Sequence, residues 1–174
     1  MDSKISVLIP TYNRPDFLKE ALESVVKQTL LPYELIVADD NMDENISKIN
    51  RAVIEEFSKK YPFVVYHKND KNLGSNRNYA NLFKLASGDI IQFLGDDDLL
   101  FPDALEKLAK PLIENKEIKL TAGKTFFANK DKTLHTKYFS IFLQEYATFF
   151  NNKIVDGYDL IINSLQKKYL KYFW

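Results

Sequence analysis

The sequence of 174 residues contains no cysteine. That excludes disulfide staples, thiolate zinc sites and a cysteine nucleophile, and it fits a reducing compartment. Histidine is scarce: His67 and His135 are the only two, on separate segments without ligand spacing. His67 reads as a strand-end residue and His135 as a surface one. An excess of either charge is also missing, because 24 basic and 24 acidic side chains give a formal net charge of zero. Without a basic excess there is no general electrostatic grip on nucleic acid, and none is expected as a partner. No window reaches the roughly 18 uncharged apolar residues of a membrane-spanning helix. The N-terminus, "MDSKISVLIPTYNRPDF", lacks the apolar stretch of a secretory signal and enters a strand pattern at once. The expectation is a cytoplasmic protein that is soluble or held peripherally at the inner face of a membrane.

What is present is a core-forming composition. Hydrophobic residues make up 45% of the chain, which argues against intrinsic disorder. Short apolar, β-branched runs read as buried strands at Lys4–Pro10, Tyr33–Asp40, Phe63–His67 and Asp89–Leu94, with a further strand at Ile118–Ala128. Helical stripes alternate with them. Pro15 opens the first helix with Asn13 as its cap. Glu44–Lys60 carries Ile46, Ile49, Val53, Ile54 and Phe57 on one face. Further helices are expected around Tyr79–Ala86 and from Pro102 to Ala109. Strands alternating with helices predict an α/β fold with a mostly parallel sheet and right-handed crossovers.

In such a sheet, ligands bind beyond the carboxyl ends of the strands. Those ends carry Pro10-Thr11-Tyr12-Asn13, then Asp39-Asp40, then Asp96-Asp97-Asp98. Crowded carboxylates raise one another's pKa unless a cation compensates. Mg²⁺ or Mn²⁺ does so, with one or two carboxylates and with substrate phosphates filling the remaining positions. The structural alternative is that Asp97 or Asp98 caps the helix near Pro102 and that Asp40 starts a turn with Asn41. Arg77, in "NLGSNRN", offers a fork of donors for phosphate, set against a plain solvated turn.

Three stretches together resemble family 2 glycosyltransferases of the GT-A fold: "SVLIPTYNRPDFLKEALESVVKQTL", "YELIVADDNMDE" and "NLGSNRNYANLFKLASGDIIQFLGDDDLLFPDALEKL". The resemblance covers about Ser6–Leu108 in matching order. It implies transfer of a sugar from a nucleoside-diphosphate sugar, UDP-type favoured, to a glycan or lipid-linked acceptor, with inversion and a divalent metal. It puts Pro10, Thr11, Tyr12 and Asn13 beside the base, Asp39 on the base, Asp96 at the ribose and Asp97 on the metal. Asp98 is either a supporting group for that metal or a cap. Two departures stand out. Gly95 occupies a position where many members carry Asp, and Arg77 sits farther from Ala86 and Gly88 than the family arginine does.

No catalytic base is assigned, because Asp131, Glu145, Asp156 and Asp159 match no family base motif. Residues 1–130 are expected to form the nucleotide-sugar-binding domain, and 131–174 a helical aromatic segment that begins a truncated acceptor-side region. Its residues Tyr138–Phe150 suit packing against further chain or a homodimer partner. Lys167, Lys168 and Lys171, beside Tyr169, Tyr172, Phe173 and Trp174, suit a lipid surface. Three other functions compete. Nucleotidyl transfer wants a glycine-rich loop with lysine where this chain has "PTYNRPD". A phosphoacceptor receiver wants its acidic pair after the first strand. A binding-only remnant keeps the donor site without a base.

Overall fold

The computed structural model describes residues 3–123, 126 and 128. The sheet is four-stranded and parallel throughout. It consists of β1 (Ile5–Thr11), β2 (Glu34–Asp39), β3 (Val64–Lys68) and β4 (Ile90–Phe93), in the spatial order β3-β2-β1-β4. The helices are α1 (Pro15–Val26), α2 (Glu44–Lys60), α3 (Ser75–Leu85) and α4 (Ala104–Glu114). The strand order turns at β1: β2 and β3 lie to one side of it and β4 to the other. A crevice beyond the C-terminal ends is the ligand position that this topology provides.

Side chains alternate across the strands, and two cores result. Ile5, Val7 and Ile9 of β1 face the same way as Leu35 and Val37 of β2. They pack with Leu18, Leu22 and Val25 of α1, Ile54 and Phe57 of α2, and Leu105 and Ala109 of α4. On the other face Leu8, Ile36 and Ala38 pack on Leu82 of α3. Pro10 is tolerated in β1 because of the same alternation. Leu8 O accepts from Leu94 N and Thr11 O from Asp40 N, so the Pro10 nitrogen points to the β4 side, beyond the last pair, Leu8 with Phe93. No ladder bond is lost there.

The helix starts differ in detail from the sequence pattern. Asn13 is not the cap of α1: it takes a left-handed φ of 59°, and Arg14 is the capping residue, without a side-chain cap bond. Asp43 caps α2 by accepting from Asn45 N at 2.8 Å. The buried face of α2 uses Ser47, Asn50, Ile54 and Phe57, whereas Ile49 is 50% exposed. Ser47 Oγ and the Asn50 amide have no hydrogen-bond partner among the described residues, and nothing there explains it. Helix α3 starts a turn before Tyr79, and α4 runs through Pro111 to Glu114. The strand expected at 118–128 does not form over its described part: 118–123 is irregular and Ala128 is an isolated bridge. The expected division at residue 130 and the tail beyond it lie outside the described residues. No helix among the described residues is long and apolar enough to cross a membrane.

Candidate functional site

The rim is built from three strand ends. Thr11 pairs with Asp39 across β1 and β2, and its hydroxyl donates to Asp96 Oδ2 at 2.9 Å. One residue thus joins the β2 end, through its backbone register, to the loop after β4, through its side chain. Tyr12 N also donates to Asp96 Oδ2, at 3.3 Å. The residues expected beside a base (Pro10, Thr11, Tyr12 and Asn13) therefore adjoin both acidic segments. Asn13 N donates to Asn41 Oδ1 at 3.0 Å, and its left-handed backbone turns the chain into α1. The Tyr12 ring is 51% exposed, the one large aromatic surface in this loop.

The five carboxylates do not form one cluster. Asp39 and Asp40 are consecutive in an extended chain, so they point to opposite faces. Asp39 is 0% exposed. Its Oδ1 accepts from Asn41 N at 3.0 Å and Asn41 Nδ2 at 2.6 Å, and its Oδ2 from the Tyr66 hydroxyl at 2.8 Å. Burial, the bond to Asp39 and the Asp39 charge push the Tyr66 phenol well above its ordinary pKa, against the Arg51 guanidinium over its ring. Asp40 faces α3 instead. It accepts from Asn69 Nδ2 at 2.9 Å, Leu73 N at 2.8 Å and Gly74 N at 2.9 Å. It thereby fixes the loop ahead of α3 and does not start a turn with Asn41. The picture of two equivalent acidic clusters fails for this reason, since strand alternation and neutral donors occupy the first pair.

The second cluster is different. Burial raises the pKa of Asp96, with the Asp97 charge adding to it, despite donors from Thr11, Tyr12 and Arg14. Burial and the Asp97 charge likewise raise Asp98. Neither Asp97 nor Asp98 caps a helix, because α4 begins at Ala104 behind Asp103. Gly95 lies in tight contact with both: a Cβ there would lie 2.8 Å from Asp98 Oδ2 and 3.1 Å from Asp97 Oδ1. A side chain at this position would push the two carboxylates aside.

Two neighbours of this cluster escaped sequence reasoning. Arg14 Nη1 bridges Asp96 Oδ1 at 3.4 Å and Asp97 Oδ2 at 2.5 Å. Its place immediately after the rim loop was the available signal. Tyr79, packed edge-on against Phe93 at 5.3 Å, has its phenol pKa raised by burial and by the charges of Asp98, Asp96 and Asp97. Arg77, by contrast, is exposed on the first turn of α3 and forms no ion pair with a rim carboxylate. Among the described residues no three acidic or imidazole side chains gather into a metal site built from protein alone. Asp97, half exposed, and Asp98 beside it suit a hard cation that takes one or two carboxylates and completes its shell with phosphate oxygens and water.

An open parallel sheet with this turn in strand order and this polar rim defines a GT-A-type α/β domain. The family model of glycosyl transferase family 2 matches residues 6–170, and the chain belongs to that family. It is 31% identical over 128 residues to an uncharacterised glycosyltransferase of Methanocaldococcus jannaschii, covering 73% of this chain and 43% of the relative. It is 35% identical over 106 residues to a GalNAc(5)-diNAcBac-PP-undecaprenol beta-1,3-glucosyltransferase of Campylobacter jejuni, covering 60% and 33%. TarS (residues 1–349) of S. aureus, solved in complex with UDP, superposes with a TM-score of 0.53 at 26% identity, over 64% of this chain and 32% of that one. The chain spans less than half the length of each of these relatives.

Proposed function

We propose that this chain binds the nucleotide end of a sugar donor at the rim and forms the donor half of an inverting, metal-dependent glycosyltransferase. The observation that carries this reading is the Thr11–Asp96 hydrogen bond, which joins the base-side loop to the acidic loop in a member of this family. Tyr12 offers an exposed ring on which a base can stack. Asp39 shapes the base pocket from beneath, through Asn41 and Tyr66. Asp96 is held through Oδ2 by Thr11 and Tyr12, and its Oδ1, beside Arg14, is the oxygen that would meet the ribose hydroxyls.

Asp97 and Asp98 are the residues that would hold Mg²⁺ or Mn²⁺. Such an ion neutralises the charge that develops on a departing diphosphate. Donors of the UDP type are favoured by the complexes of TarS with UDP and with UDP-GlcNAc. A lipid-linked or glycan acceptor is favoured by the undecaprenol-linked name of the Campylobacter relative. An inverting transfer also needs a general base to deprotonate the acceptor, and no described residue is assigned that role.

The test is calorimetry with UDP and GDP in Mn²⁺ and in EDTA. Binding should require the metal, and Asp97→Ala should remove that requirement by weakening the metal-bound state to the level seen in EDTA. Equal affinity of the unsubstituted protein in both buffers would reject the metal role.

A further inference from the structure

Resting on the donor-site reading above, we propose that Arg14 is an exchangeable counter-ion. It neutralises Asp96 and Asp97 when the rim holds no donor. When metal and nucleotide bind, it leaves Asp97 and takes the donor's diphosphate.

The geometry carries the argument. Arg14 Nη1 spans both carboxylates, at 3.4 Å and 2.5 Å, and so sits against one of the Asp97 oxygens that could ligate a cation. A guanidinium and a divalent ion on the same carboxylate repel each other, so the ion pair competes with the metal. The Arg14 side chain remains 49% exposed, which leaves it able to swing without breaking the core. Its backbone is fixed: Leu18 N donates to Arg14 O at 3.1 Å, and Pro15 follows at the start of α1. The reach of the guanidinium is therefore limited to the rim. A displaced guanidinium beside a diphosphate has the planar donor fork that matches two phosphate oxygens. The same side chain thus opposes metal binding alone and favours metal with diphosphate. This links the two and disfavours loading of the site by metal without donor. Arg77, expected for the phosphate role from sequence, has no partner on the rim.

The test separates the two halves of the exchange. Mn²⁺ binding without nucleotide is followed by electron paramagnetic resonance of the free ion. UDP, GDP, UMP and GMP are then titrated at saturating Mn²⁺. Arg14→Ala should tighten Mn²⁺ alone by about 2- to 5-fold, the size of an exposed ion pair removed. It should weaken the better diphosphate by about 10- to 100-fold, as for a lost charge-assisted bond. The corresponding monophosphate should change by less than about threefold. Arg14→Lys should retain most of the competition with Mn²⁺ but lose part of the diphosphate affinity. Unchanged or weaker Mn²⁺ binding in Arg14→Ala would overturn the exchange, as would equal losses for diphosphate and monophosphate. If the unsubstituted protein binds neither UDP nor GDP with metal present, the donor-site reading itself fails, whatever Arg14 does.

Discussion

The two ends of this one sheet treat carboxylates in opposite ways. At the N-terminal end, Glu34 Oε1 accepts from Ser6 Oγ at 2.6 Å, Ser87 N at 2.6 Å and Ser87 Oγ at 2.9 Å. Burial alone would raise its pKa, yet these donors, together with Gly88, outweigh burial and hold it below the ordinary carboxylate value. Asp89 is similarly used, accepting from Lys4 N at 2.9 Å. At the C-terminal end Asp96 and Asp98 sit above the ordinary value, because burial and the neighbouring Asp97 charge outweigh their donors, which for Asp96 are Thr11, Tyr12 and Arg14. The acids of the foot are held as stable anions by the fold's own donors, whereas Asp96 and Asp98 at the rim carry a charge that their surroundings disfavour. Counting acids does not separate the two ends, but the balance of donors against burial and like charge at each acid does.

The largest effect should come from breaking the foot. Gly88 N donates to Ser6 Oγ at 2.9 Å, and a Cβ on Gly88 would collide with that oxygen while lying 2.8 Å from Lys4 O and 2.9 Å from Ser6 N. Two of these contacts are backbone and cannot move aside. Gly88→Ala should cost about 2–4 kcal/mol in urea unfolding, through overpacking and the lost Ser6–Glu34 and Gly88–Ser6 bonds. A loss under about 1 kcal/mol would mean that the foot is softer than its contacts imply.

Asp40→Ala comes next and tests whether position on the rim implies function. Asp40 lies at the rim but is used like an acid of the foot. Its removal leaves Leu73 N without an acceptor, while Asn69 Nδ2 keeps Asn78 Oδ1 and Gly74 N keeps Asn72 Oδ1. About 1–2 kcal/mol of stability should be lost, as for one donor left unpaired and two charge-assisted bonds removed. Chemical denaturation gives the number, and Asp97→Ala, half exposed, serves as the rim control with a change under about 1 kcal/mol.

Much of this was legible beforehand. The four strands stand out because buried parallel strands are continuous apolar runs, and the Glu44–Lys60 limits of α2 follow from its cap and stripe. The resemblance to family 2 glycosyltransferases, and with it the α/β fold, holds. What was misread has local causes. Asp39 and Asp40 were counted together although strand alternation separates them. Ile49 was put in the core by hydrophobicity, while the fold buries Asn50 beside it. The strand expected at 118–128 had apolar composition but forms no ladder within its described part. Arg14 carries no role in the sequence reading, because its bonds to Asp96 and Asp97 span 82 and 83 positions in the chain. Pairings of that length appear only once the sheet is assembled.

The pH dependence at the foot sharpens the comparison further. The folded-state pKa of Glu34 is lowered. Its contribution is therefore fully present above the unfolded value, about 4.5, and is lost as pH falls through the folded value. Glu34→Gln should cost about 1 kcal/mol at neutral pH, the scale of a charge-assisted bond made neutral. The gap between the two proteins should close on acidification below about pH 4. Urea midpoints at several pH values check this, and a constant gap would show that Glu34 acts through packing and not through its charge.

The smallest effect has the opposite sign and belongs to the rim. Asp98 is a carboxylate with its pKa raised by burial and by Asp97, so at neutral pH its charge opposes folding. Asp98→Asn keeps the shape and removes that charge. It should stabilise the protein without metal by about 0.5–1 kcal/mol, since a like-charge contact at a partly exposed site is worth that much. With Mn²⁺ present the order should reverse, because ligand binding raises stability in proportion to affinity and Asn is the weaker ligand. Thermal unfolding in EDTA and in Mn²⁺ distinguishes the two. An Asp98→Asn protein that is less stable in both buffers would place Asp98 with Glu34 and Asp40, as an acid whose charge the fold needs.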